Sequence, residues 1–381
     1  MVPEQAARKK IGVLIGGSGL IGGTLVHYFK TTTPDKIEIR APSSKKLSIR
    51  SQDDIRNYFN EVTPDFIINT AITNLNSDSQ LSFEVNCLGA VNLAKAAAAH
   101  NIPYIHMTTA AALPYGSDLS DDDTLPLTAD LSNYAKSKLM AEKSLIHLQK
   151  EKGLDYSSLR LAIVYGDHDH KIQGFHRLFF SIAEQSMPFL FTAKGVKHSY
   201  SNSRKVPYLV HHMLENRMEF SGQTYNFVDP EPVELAKLIL TIKKYLRLNS
   251  PRELYIPYGS AKFGRQALSL FLRAFAKLGL IARMPPELMF LESFYKTQSL
   301  SVKKLQASSY QDPKPGESIF SLLPDLASYY LKRWSQQNLL TVPGMISQGS
   351  NEDSKGFQDN PIALLEEIKM NIIDSPRQTE D

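Results

Sequence analysis

A short apolar run closed by spaced glycines constrains this chain more than any other feature. The segment Lys10–Ile15 is followed by Gly16-Gly-Ser-Gly-Leu-Ile-Gly22, and then by apolar residues at helical spacing, Leu25, Val26 and Phe29. β-Branched and apolar residues ending in glycine read as a buried strand, and Leu20–Lys30 reads as the helix it feeds. At such a turn each glycine has its own reason. Gly16 permits the tight turn, Gly19 lets backbone approach a pyrophosphate, and Gly22 lets helix and strand pack closely. Ser18, Gly19, Leu20 and Ile21 then stand at a helix N-terminus, where backbone N–H groups and the helix dipole favour an anion. Similar turns exist that bind nothing, so the pattern gains weight only with other signals.

The rest of the first half repeats the strand-then-helix theme. Ile37–Arg40, Phe66–Asn69, Tyr104–Thr108 and Ser158–Val164 read as strands. Asp53–Glu61, Leu81–His100 and Asn133–Lys152 read as helices. Strands separated by helices of this length predict an α/β fold, a doubly wound parallel sheet of the Rossmann type. Beyond residue 165 the periodicity loosens. Tyr225–Phe227 reads as a strand, Val233–Leu248 as a helix, and 261–296 as an apolar and basic helical region broken at Pro285-Pro286. The expected division is 1–166 for the dinucleotide domain and 167–341 for a smaller mixed C-terminal substrate subdomain, with a return to the sheet around 206–250. Residues 342–381 read as a polar tail, in which Pro361–Ile373 would carry Ile362, Leu365, Ile368 and Ile372 on one side of a helix.

Bulk properties narrow the function. A formal charge of +4 over 381 residues makes no case for a nucleic-acid binder. The single cysteine, Cys87, excludes an intramolecular disulfide and fits a reducing, cytoplasmic setting. Glycines interrupt the apolar run after Arg8-Lys9-Lys10, unlike a signal peptide. No run approaches the roughly 20 apolar residues of a transmembrane helix. Peripheral membrane contact stays open, because 265–283 interleaves Arg265, Arg273, Lys277 and Arg283 with large apolar residues. Such a segment suits a membrane surface, a cover over an apolar pocket, or ordinary packing.

The helix at Asn133–Lys152 begins Asn133-Tyr134-Ala-Lys-Ser-Lys138. Positions four apart share a helix face, so Tyr134 and Lys138 point the same way. A free tyrosine has a pKa of about 10, and an adjacent ammonium lowers it by stabilising the phenolate. Such a tyrosine can exchange a proton with a substrate oxygen. At the end of the second strand an acid would select NAD; here Arg40 stands instead, followed by Lys45 and Lys46, which favours NADP over NAD.

Taken in order, GGSGLIG at 16–22, NTA at 69–71, VNCLGAVNL at 85–93, IHMTTAA at 105–111, NYAKSKLMAE at 133–142 and LRLAIVYG at 159–166 resemble the extended short-chain dehydrogenase/reductases over roughly residues 10–310. The resemblance implies that Tyr134 is the general acid/base and that Lys138 lowers its pKa and meets the nicotinamide ribose. It puts Thr109 on the substrate oxygen, with Thr108 as the register alternative. It sets Asn69 and Ala71 along the adenine-ribose side and gives Asn86 a structural role. It also implies a homodimer through the helices holding Tyr134 and residues 81–100. Ala110-Ala111-Ala112 follow Thr109 where dehydratases carry acids, which disfavours water loss. The reading is hydride transfer between nicotinamide and a secondary alcohol or ketone of an apolar small-molecule substrate. A nucleotide-sugar epimerase or reductase is the alternative, with Arg204, Lys205 and Tyr208 as its candidate contacts. A cofactor-binding regulatory protein is a second. Asp167–His170 reads as a substrate-side loop, not a metal site, and His211-His212 as helix surface.

Overall fold

Six parallel strands form the central sheet: β1 (Lys10–Ile15), β2 (Ile37–Arg40), β3 (Phe66–Asn69), β4 (Tyr104–Thr109), β5 (Tyr156–Leu161) and β6 (Gln223–Phe227). Their order across the sheet is β6-β5-β4-β3-β1-β2, every pair parallel. β3, β4 and β5 are buried along their whole length, as a sheet covered on both faces requires. Alternation along β1 sends Leu14 into one core with Leu25, Phe29, Met107 and Leu159. Val13 and Ile15 enter the other, with Phe59, Ile67, Leu93 and Leu145. The connecting helices are α1 (Leu20–Thr32), α2 (Gln52–Val62), α3 (Gly89–His100), α4 (Asn133–Lys152) and α5 (Val206–Glu215). Farther along lies α6 (Tyr258–Lys277). The computed structural model describes residues 8–184, 187–191, 195–277 and 284–337, with residues 339, 360, 362, 363, 365 and 366. Most of the helix expected at Pro361–Ile373 lies outside these. The chain divides into two compact units, Met1–Pro324 and Asp325–Asp381.

The strand order reverses between β1 and β3: the chain leaves β1 toward β2, then returns to build β3 to β6 on the other side. In open α/β sheets such a switch point opens a crevice beyond the carboxyl ends of the strands. Both the glycine turn after β1 and Thr109 at the end of β4 lie at that edge. A smaller four-stranded sheet combines Gly116–Leu119, Gln298–Leu300, Lys197–His198 and Val233–Glu234, with one antiparallel pair. This mixed sheet fits the smaller C-terminal subdomain expected, although its strand Gly116–Leu119 comes from the first half of the chain.

Two elements differ from the sequence expectation. The segment read as one helix over Leu81–His100 is a short turn at Ser79–Ser82, a π-helical stretch at Phe83–Leu88, and then α3. The wider turn carries Asn86, whose side chain bonds Thr73 and Ser137. The strand expected over Ser158–Val164 is split. β5 ends at Leu161, and Ile163–Tyr165 pairs with Tyr200–Asn202. A side chain makes the switch: the Ala162 N–H donates to Ser201 Oγ at 2.9 Å, and that hydroxyl donates to the Phe227 carbonyl at 2.7 Å.

Helix α4 starts under a Ser132 cap, whose hydroxyl accepts the Ala135 N–H at 3.2 Å, and ends at Gly153 with φ +65°. Its middle is fixed by a buried ion pair. Arg160 Nη2 on β5 donates to Glu142 Oε2 at 2.9 Å, with the two side chains 2% and 6% exposed. The Thr108 hydroxyl on β4 donates to the other oxygen of Glu142. Removing one partner strands a charge in the core. Arg160→Met should lower the unfolding free energy by about 3–5 kcal/mol, and pairing it with Glu142→Leu should recover most of that. Urea unfolding checks both; an unchanged midpoint for Arg160→Met contradicts the assignment.

Candidate active site

The glycine turn is built at close quarters. Gly16 has φ +86°, and its carbonyl accepts the Gly19 N–H at 3.0 Å. A Cβ on Gly22 would stand 2.1 Å from that same carbonyl oxygen, so no side chain fits there. A Cβ on Gly16 would meet Thr70 Oγ1 at 2.7 Å and the Ala71 nitrogen at 2.9 Å. The turn thus presses against the end of β3 at the switch point. Gly19 caps α1 without a side-chain bond, and Ser18 and Gly19 are exposed, with Leu20 and Ile21 half-buried behind them. The first-turn amides of a helix have no partner within it.

Asn69 and Ala71 divide their tasks. Asn69 is buried; its Nδ2 donates to Tyr104 Oη at 2.9 Å and its Oδ1 accepts the Ala71 N–H at 3.0 Å. It therefore positions Ala71 at the turn rather than facing outward itself. Arg40 ends β2 half-exposed, with Nε 2.7 Å from Glu38 Oε1, and that bond holds its guanidinium more firmly protonated than usual.

Strand alternation separates the two threonines of β4. Thr108 turns to Glu142, whereas Thr109 accepts the Ala111 N–H at 3.2 Å and stands close enough to the Tyr134 phenol to act on its charge. Burial pushes the Tyr134 phenol up from its ordinary pKa, and the Thr109 hydroxyl works in the opposite sense. One turn along α4, Lys138 is buried and its Nζ donates to the Met107 carbonyl at 2.8 Å. Burial brings the pKa of Lys138 down to about 8, with the Glu142 carboxylate opposing the shift. Behind it, His106 Nδ1 lies 3.2 Å from Tyr104 Oη; burial, and then the Lys138 charge, hold this imidazole well below its usual pKa. Glu142 and His106 were missed in the sequence. The i, i+4 rule that paired Tyr134 with Lys138 would have reached Glu142; nothing local marks His106.

The second half of the chain reaches the same edge. Gln298 Nε2 donates to the carbonyls of Ala110 and Pro114, each at 3.1 Å, and so braces the loop after Thr109. Regions 187–205 and 284–298 meet through the rings of Phe191 and Phe294, 6.1 Å apart, and through His198 Nε2 and the Ser293 carbonyl at 2.8 Å. Arg204 pairs with Asp167 at 2.7 Å, Lys205 with Asp312 at 2.8 Å, and Lys314 sits over the Tyr208 ring at 5.8 Å. The cations considered for a nucleotide sugar thus already face carboxylates. His168 (φ +64°) packs against Gly23 of α1, and among the described residues no three metal-ligating side chains cluster. His211 and His212 are packing residues more than surface: His211 Nδ1 lies 3.0 Å from Tyr28 Oη, and His212 Nε2 lies 2.8 Å from Ser309 Oγ.

The model of the NAD dependent epimerase/dehydratase family matches residues 13–221. The sterol-4-alpha-carboxylate 3-dehydrogenase, decarboxylating, of Schizosaccharomyces pombe is 28% identical over 179 residues, which are 42% of this chain and 52% of that protein. The chain thus spans about half the length of this relative. Among solved structures, dTDP-glucose 4,6-dehydratase of Bacillus anthracis in complex with NAD superposes with a TM-score of 0.63 at 13% identity, covering 87% of this chain and 100% of that one. The UDP-glucose 4-epimerase of Thermus thermophilus, complexed with NAD, gives 0.59 at 17% identity, covering 84% and 99%. The dTDP-4-dehydrorhamnose reductase of Bacillus anthracis, in complex with NADP, gives 0.60 at 14% identity, covering 84% and 99%. At these identities the likeness is one of fold.

Lys138 gives a pH signature. Its folded pKa of about 8 lies below the ordinary 10.5. Between those values the folded protein has shed a proton that the unfolded chain keeps. The cost of burying the charge is therefore full below about pH 8 and is relieved as pH rises through that window. Carbon NMR of labelled lysine should show one side chain titrating near 8 and missing in Lys138→Met. A titration near 10.5 for every lysine contradicts this.

Proposed function

Because the chain belongs to the NAD dependent epimerase/dehydratase family, we propose that it is an NADP-dependent oxidoreductase of the extended short-chain dehydrogenase/reductase type. Its substrate on this reading is the secondary alcohol or ketone of an apolar small molecule. The observation that carries it is the meeting of Thr109 with Tyr134, one helical turn from buried Lys138, at the strand edge that also holds the glycine turn.

The glycine turn suits a dinucleotide. A backbone too tight for any side chain at Gly22 leads into an uncapped helix start at Gly19, the arrangement that accepts a pyrophosphate. Ser18, Gly19, Leu20, Ile21 and Gly22 would hold the phosphates and Ala71 the adenine-ribose side, with Asn69 behind it. Arg40 would meet a 2′-phosphate. The nicotinamide, once bound, supplies or takes the hydride.

The proton is the work of the chain's own groups. The Tyr134 phenol gives it to a ketone oxygen, or its phenolate takes it from an alcohol, while the Thr109 hydroxyl hydrogen-bonds that oxygen. Burial alone makes phenolate costly, and the Lys138 ammonium on the same helix face offsets that cost. Glu142 in turn favours the charged lysine. No acid follows Thr109, so the loop offers nothing for dehydration. The sterol-processing relative and the paired state of Arg204 and Lys205 both support an apolar substrate over a nucleotide sugar. Leu81, Phe83 and Ile146 are exposed on the two helical segments where the family resemblance puts a homodimer, which supports an interface there. The single cysteine agrees with a cytoplasmic setting.

Tyr134→Phe should abolish turnover while leaving NADPH affinity nearly unchanged, because the ring still fills its space and only the proton donor is lost. Turnover within a few-fold of the parent removes Tyr134 from the reaction. NADPH should bind more tightly than NADH by fluorescence titration, and Arg40→Ala should narrow the gap by on the order of tenfold, the scale of one charge-assisted contact. Equal affinities in the parent protein contradict the Arg40 assignment.

A further inference from the structure

Residues 254–286 hold five basic side chains, Lys262, Arg265, Arg273, Lys277 and Arg283, and not one aspartate or glutamate. Acids make up about a tenth of the whole chain, 39 in 381, so this stretch has a one-sided charge. Within it lies α6, about 30 Å long at 1.5 Å per residue. Its inner side is occupied. Ala261 is buried, the Tyr258 ring lies 5.3 Å from that of Tyr295, and the Tyr258 hydroxyl donates to Glu292 at 2.7 Å. The outer side is bare: Phe263 is 72% exposed, Leu270 66% and Phe271 63%. Ala274 is exposed as well, and Ala267 is half-buried. Positions 263, 267, 270, 271 and 274 follow the i, i+4, i+7, i+8, i+11 spacing of one helix face. Just before α6, Tyr255 is 76% exposed and Leu254 is exposed beside it. Lys262 is exposed at the flank of this face.

Large apolar side chains gathered on one exposed face mark a contact surface, not scattered surface leucines. We propose that this face of α6 rests on an anionic lipid bilayer, with Phe263, Leu270 and Phe271 entering the headgroup–acyl boundary and Lys262 meeting the headgroups. The charge chooses the occupant. A second copy packed face to face would oppose two acid-free basic stretches, whereas an anionic surface attracts both the cations and the apolar side chains. Among the described residues no helix is long and apolar enough to cross a membrane, so α6 lies in the plane of the interface. This attachment is independent of the reaction proposed above, although an apolar ketone or alcohol would concentrate in the same bilayer.

Vesicle flotation of the full-length chain tests the proposal. The protein should float with phosphatidylcholine vesicles containing phosphatidylglycerol, and several-fold less with phosphatidylcholine alone or in high salt. The triple variant Phe263→Ser, Leu270→Ser, Phe271→Ser should stay at the bottom of the gradient with its melting temperature unchanged, since all three side chains are exposed. Phe271→Trp, which keeps the apolar face, should show blue-shifted emission with anionic vesicles. A parent protein that does not float, or a triple variant that floats equally well, overturns the proposal. So does a concentration-dependent dimer lost in the triple variant while neither form binds vesicles. Flotation needs no cofactor and no turnover, so its failure leaves the Tyr134 reading untouched.

Discussion

One carboxylate, shared between two strands, holds the helix of Tyr134 and Lys138 in place. Glu142 projects from α4 into the sheet, where it takes Arg160 of β5 and Thr108 of β4. Buried ions are costly unless each is paired and hydrogen-bonded, and here Arg160 also donates to the Asp121 carbonyl at 2.9 Å. Such a junction tolerates little sliding. It sets the rotation and height of α4 on the sheet, and with them the faces that carry Tyr134 and Lys138. Thr109, the last residue of β4, lies by Tyr134 near the start of the helix whose middle holds Thr108.

The same junction has an electrostatic consequence. Lys138 is enclosed among strand residues, with the Met107 carbonyl as its hydrogen-bond acceptor, and burial works against its charge. Glu142, one turn away, works for it. The lysine is left near the pH where its protonation responds to small changes, which would suit the part proposed for it beside the Tyr134 phenolate. His106 stays neutral between Tyr104 and Lys138, and so adds no second positive charge to the pocket behind the tyrosine.

Around this centre the molecule directs its polar groups to itself. Arg204, Lys205 and Asn202 are engaged by Asp167, Asp312 and Glu317, and Gln298 is spread over the carbonyls that follow Thr109. The second half of the chain therefore serves as a brace for the strand edge more than as a source of loose charge. Among what it exposes is the apolar face of α6, with Phe263, Leu270 and Phe271 in the open. An apolar substrate and a lipid-facing helix would share one physical cause, the affinity of both for hydrocarbon.

Much of this could be read from local pattern. The bounds of β1, β2, β3 and α4 follow directly from Lys10–Ile15, Ile37–Arg40, Phe66–Asn69 and Asn133–Lys152, because burial on both faces and capping by Ser132 and Gly153 leave short-range marks. The glycine turn was legible for the same reason, since steric exclusion at Gly22 acts over a few residues. Other features depend on partners distant in the chain, and no local period encodes them. Whether Asn69 faces a ligand or the core depends on Tyr104, 35 residues on. Whether Lys205 is available to a substrate depends on Asp312, 107 residues on. The split after Leu161 depends on Ser201. Hydrophobic periodicity and backbone sterics are short-range, so the sequence alone determined β1 to β3, α4 and the glycine turn. The pairing of buried charges and the choice of face are long-range, so only the tertiary structure decided which polar groups were left to act.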